Sequence, residues 1–172
     1  MKKNNTTLYI VLMILGAAAC RLLTNYFHLW NFTPIAAMGL FAGANMRDKK
    51  LSFLVPFIAL FLTDLVLGLH KEMFSVYASV ALIVFIGMWL EKRQTVFNIF
   101  SAALVSSVLF YGVTNFFAWI SNPLYTQDVQ GLIRNYTLAL PFFRNEILGD
   151  LFFSGVLFGG YALLMKREKA TA

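Results

Sequence analysis

Apolar residues along the chain fall into six runs: Leu8–Leu23, Phe32–Ala44, Leu51–Leu69, Phe74–Leu90, Val96–Ile120 and Ile147–Met165. A helix needs about 20 apolar residues to cross a bilayer, so most of these runs predict membrane spans rather than buried core helices. The second run is the shortest. It is thin and closely packable, with Ala36, Ala37, Gly39, Ala42, Gly43 and Ala44, and it opens on Asn31-Phe32-Thr33-Pro34. Pro34 suits a first helical turn and Asn31 or Thr33 can cap it, so this segment is expected to tilt or to stop short of spanning. The longest connection is Ser121–Glu146. Its length and aromatic content predict an outer loop that packs as a lid, with Leu132–Leu140 as a short surface helix before Pro141. The expected fold is all-α: a single domain, residues 1–172, of six transmembrane helices.

Composition narrows the class. Of 172 residues, 59% are hydrophobic and 13% charged, with a mean hydropathy of +0.70, which excludes a soluble globular domain. The net charge of +6 lies in short clusters between apolar runs, which excludes a nucleic-acid surface. Those clusters orient the chain instead. With the N-terminus in the cytoplasm, the inner side holds ten basic residues: Lys2, Lys3, Arg47, Lys49, Lys50, Lys92, Arg93, Lys166, Arg167 and Lys169. The outer side holds three: Lys71, Arg134 and Arg144. The bias predicts a multi-pass protein of the bacterial inner membrane with both termini cytoplasmic. The segment from Met1 to Cys20 also has the outline of a secretory or lipoprotein signal. Ala17 three places before the cysteine, and an apolar run that continues through Leu22 and Leu23, favour a span.

Orientation gives each polar residue a depth. Asp64 and Arg21 each lie 13 residues from the inner end of their runs, about 20 Å up the helix at 1.5 Å per residue. Matched depth predicts an ion pair or two walls of one site, because a lone carboxylate there costs roughly 2.5–3.5 kcal/mol. Other expensive groups gather at the same outer level, whereas the inner halves carry little that is polar beyond Asn98 and Ser101. The candidate substrate-binding residues are Arg21, His28, Trp30, Asn31, Asp64, Tyr77, Tyr111, Asn115, Trp119, Tyr136 and Asp150. Taken singly, the aromatics fit an interfacial belt equally well. The small-xxx-small pair Gly155–Gly159 predicts close helix packing within the bundle. One cysteine and two isolated histidines give no metal-ligand spacing, so neither a metal nor a cofactor is expected. No nucleophile, paired-acid or phosphate-loop motif is present, and an enzyme is not expected.

Asn31-Phe32-Thr33-Pro34-Ile35-Ala36-Ala37, Thr63-Asp64, Thr114-Asn115-Phe116, Pro141-Phe142-Phe143 and Gly149-Asp150 together resemble an uncharacterised family of small six-span bacterial membrane proteins. More distantly, size, topology and the placing of polar groups resemble the S components of energy-coupling-factor vitamin transporters. That resemblance implies an S-component-like bundle with a vitamin site near the outer face, served by a separate energising complex. The cobalamin-transporting members use a cysteine near cobalt, but Cys20 on the first span has no match to that position. The expected function is uptake or binding of a small, vitamin-like solute, with membrane lipid and the solute as partners. The alternative is a structural or assembly subunit of an inner-membrane complex.

Overall fold

The computed structural model describes the backbone of residues 3–170 and the side chains of residues 10–166. These residues form six helices: α1 (Lys3–Tyr26), α2 (Ile35–Asn45), α3 (Lys49–Leu67), α4 (Met73–Leu90), α5 (Val96–Ser121) and α6 (Val129–Ala170). Four of them, α3 to α6, are long and apolar enough to cross a membrane. The apolar parts of α1 and α2, Ile10–Tyr26 and Ile35–Asn45, are shorter. At 1.5 Å per residue, the 11 residues of α2 cover about 16 Å, half a hydrocarbon core. Of the residues counted for charge bias, the side chains of Lys2, Lys3, Arg167 and Lys169 lie outside the described residues.

Short as it is, α2 forms the centre. Ten of its residues, Ile35 to Ala44, are buried, and among the described residues it alone touches all five other helices. Its small side chains make this possible. A Cβ on Gly43 would strike the Val84 carbonyl oxygen, and one on Gly87 would strike that of Leu40. The α2–α4 crossing is therefore a contact of backbone on backbone. Leu40, Phe41, Ile83, Leu90 and Phe158 fill one flank of this core, and Met38, Val55, Leu60 and Val80 fill another. The outside is apolar as well: Leu65, Val66, Phe85, Trp89, Val108, Phe152 and Val156 are all exposed. A water-soluble surface rarely carries so much contiguous apolar area, whereas lipid accepts it.

Three expectations change. Neither Asn31 nor Thr33 caps α2; Pro34 stands at that position without a side-chain bond, and its carbonyl accepts the Met38 N–H at 2.8 Å. Gly155 and Gly159 do not bring helices together: the nearest neighbour of a Cβ on Gly155 would be the Phe100 ring at 3.8 Å, and Gly159 faces open space. The largest change is at residues 121–146, which do not form an outer loop. After a seven-residue turn, α6 starts at Val129 and runs unbroken for 42 residues. Asp128 starts it, its carboxylate accepting the Gly131 N–H at 2.7 Å and the Thr126 hydroxyl at 2.8 Å, which satisfies a donor of the first turn. Pro141 sits inside the helix without ending it, as membrane helices allow when neighbouring groups take up the freed backbone.

Candidate functional site

The site begins with the charge in the third apolar run. On α3, Asp64 is 1% exposed, and its Oδ1 accepts a hydrogen bond from Arg21 Nη1 of α1 at 2.6 Å. The same nitrogen reaches the Leu60 carbonyl at 3.3 Å and the Thr63 hydroxyl. Asp64 Oδ2 accepts from the Tyr77 hydroxyl of α4 at 3.1 Å. The ion pair expected from matched depth is present, and it joins three helices. Arg21 Nε and Nη2 have no hydrogen-bond partner among the described residues.

A second cluster lies on α6. Glu146 and Asp150 are four residues apart, one turn above the other on a single face. They are 5% and 3% exposed. Asp150 Oδ2 accepts the Ser107 hydroxyl of α5 at 2.7 Å. Glu146 Oε1 is buried without a hydrogen-bond partner. Among the described residues no cation pairs with either carboxylate.

Both clusters open on one cavity of about 280 Å³, lined by Arg21, Asn31, Thr33, Ile35, Ala36, Leu60, His70, Val76, Phe110, Thr114, Glu146 and Asp150. Part of its wall is the α1–α2 connection, where His28 (φ 58°) and Asn31 (φ 62°) adopt left-handed backbone. Asn tolerates this region better than most residues. The connection is pinned to α6 on both sides of Glu146. Asn145 Nδ2 donates to the Trp30 carbonyl at 3.1 Å. On the other side, Gly149 lets the backbone close in, since a Cβ there would lie 3.2 Å from Phe32 Cα and from Thr33 N.

Of the eleven expected residues, Arg21, Asn31 and Asp150 line the cavity. Asp64 and Tyr77 are joined to it through Arg21. The structure places the others elsewhere. The Tyr111 hydroxyl donates to the Tyr136 carbonyl and the Tyr136 hydroxyl to the Gly112 carbonyl, each at 2.6 Å. Asn115 joins the same α5–α6 seam, its carbonyl accepting from Asn135 Nδ2 at 2.7 Å. Trp119 Nε1 donates to the Thr126 carbonyl at 2.9 Å and so closes the turn between these helices. His28 and Trp30 form an exposed edge-to-face pair at 5.4 Å.

Glu146, Thr33, His70 and Thr114 line the cavity without having been among the eleven candidate binding residues. The signal for Glu146 was its four-residue spacing from Asp150, which has meaning only once α6 is known to extend upstream. Ser106, Ser107 and Ser154 are also buried, Ser107 at the level of Asp150. No group of three or more His, Cys, Asp or Glu among the described residues has the geometry for a metal ion.

A family profile matches residues 1–172, the whole chain. The chain belongs to DUF6580, a family of unknown function. No curated protein and no solved structure matches it. Membership of a family of unknown function, expected from the sequence, is therefore shown, and for this chain the cavity geometry is what bears on function.

Proposed function

We propose that this DUF6580 protein binds a small solute, of vitamin-like size, at the outer side of a bacterial inner membrane and serves its uptake. The observation that carries this is the cavity: about 280 Å³, close to the lower end of ligand pockets at roughly 300 Å³. Ligand pockets are mostly apolar with a few convergent polar groups. Here Ile35, Ala36, Leu60, Val76 and Phe110 supply the apolar wall, and Arg21, Glu146 and Asp150 the polar groups.

Stability alone is a weak reason for these groups. Polar contacts between membrane helices average about 0.6 kcal/mol, and a buried carboxylate oxygen without a partner opposes folding. Arg21 is different: held by Asp64, Thr63 and Leu60, it is fixed in advance and keeps N–H groups free for a ligand. In this account the chain crosses the membrane six times, the short α2 making its crossing together with the connections on either side. Both termini are cytoplasmic, and the bundle works like an S component. The sequence carries no phosphate-binding motif, so ATP-derived energy would come from a separate complex. A screen of soluble vitamins and related solutes for thermal stabilisation of the purified protein tests the proposal. A solute that raises Tm in a concentration-dependent way supports it. If none does, the carboxylates serve assembly and the subunit alternative takes its place.

A further inference from the structure

Resting on that solute-binding proposal, we infer that the solute carries a protonated amine, which seats against Glu146 and Asp150 while its apolar body lies along Leu60, Val76 and Phe110. The two carboxylates are stacked one helical turn apart, buried, and face one cavity. Glu146 Oε1 has no partner, and a buried polar group without a hydrogen bond is costly unless something arrives to bond it. An ammonium group supplies both charge and N–H donors, giving charge-assisted bonds to carboxylate oxygens.

The nearby basic groups do not fill that role. Arg21 is neutralised by Asp64 at 2.6 Å. His70 lies 3.9 Å from Glu72, so its charge, when present, is matched there. An anionic ligand would find no unpaired cation on the cavity wall among the described residues. A bare metal ion fits poorly too: the cavity is many times its size, and much of the wall offers no oxygen. An aromatic side chain in that wall, Phe110, suits an ammonium neighbour, because an aromatic face attracts cations.

The test uses the full chain in lipid nanodiscs and reads thermal shift with phenethylammonium chloride as the probe. Phenethyl alcohol, phenylacetate and sodium chloride are matched controls at constant ionic strength. Phenethylammonium should raise Tm, the alcohol and phenylacetate should act at least about tenfold more weakly, and Glu146→Gln should weaken the ammonium response by about tenfold or more. Should Glu146→Gln fail to fold, Asp150→Asn is measured in its place with the same expectation. Equal response to the alcohol, an undiminished response in the variant, or a shift reproduced by sodium alone would each overturn the inference. If a neutral or anionic vitamin stabilises the protein and phenethylammonium does not, the amine inference fails while solute binding stands. If nothing in either series binds, both fail.

Discussion

Arg21 and Asp64 show why some residues announce themselves in a sequence and others do not. A charge in an apolar run is expensive, so Asp64 is visible at once, and its distance from the run's end locates its partner. Serine is cheap because its hydroxyl can bond its own helix, as Ser107 does to the Ala103 carbonyl at 3.1 Å. That cheapness hid the residue that also holds Asp150. The Arg21–Asp64 pair predicts coupling. Asp64→Asn and Arg21→Gln should each destabilise by about 3–5 kcal/mol, because each leaves a buried partner uncompensated, and the double variant should lose less than the sum. Additive losses in a double-mutant cycle of thermal unfolding would show that the two are independent.

A second residue-scale prediction concerns pH. At the start of α6, the Gly131 N–H and then the Thr126 hydroxyl hold the Asp128 carboxyl below the usual carboxylate range. A carboxyl whose folded-state value is depressed stabilises above its unfolded value of about 4 and loses that contribution as pH falls through the folded one. The first turn of α6 should therefore loosen in acid, seen as less protection of the Gly131 amide in hydrogen exchange. Asp128→Ser, a neutral cap, should show no such acid step.

Among the elements, α3, α4 and α5 were legible to within two residues because their apolar runs are long, and α3 and α5 start just after capping residues, Asp48 and Thr95. The first half of α6 was only partly legible. Leu132–Leu140 read as a short surface helix, but Gly131 and Pro141 read as breaks on either side of it, whereas both are accommodated inside one continuous helix. Gly131 is required by a neighbour: a Cβ there would strike the Thr126 carbonyl. The glycines of α2 were legible as a means of close packing, but their partner Gly87 was not, since contact between distant segments leaves no local pattern. Gly43→Ala and Gly87→Ala should each destabilise by about 1–3 kcal/mol, because the new methyl meets backbone that cannot turn aside. Gly159→Ala, facing open space, should be neutral or slightly stabilising. Unfolding of the three variants in one detergent checks this, and equal losses would show that the crossing is not tight.

At the scale of the molecule, a short buried helix with an irregular connection at its start creates a polar cavity within an apolar bundle. Non-helical backbone at membrane depth is tolerated where protein buries it or where it lines a cavity. The left-handed Asn31, which lines the cavity, fits that rule. The basic bias predicts that reporters at Ala172 and within the turn between α5 and α6 lie on opposite sides, with Ala172 cytoplasmic. An outside C-terminus would turn the cavity toward the cytoplasm and reverse the proposed direction of uptake. The most direct test is to fill the cavity. Thr114 lines it from α5, and Thr114→Phe should occupy its space. Measured against a panel of soluble vitamins and organic ammonium ions, at least one solute should raise the Tm of the natural protein and leave that of folded Thr114→Phe unchanged. Equal shifts in both proteins, or no shift in the natural protein, would contradict a solute site in this cavity.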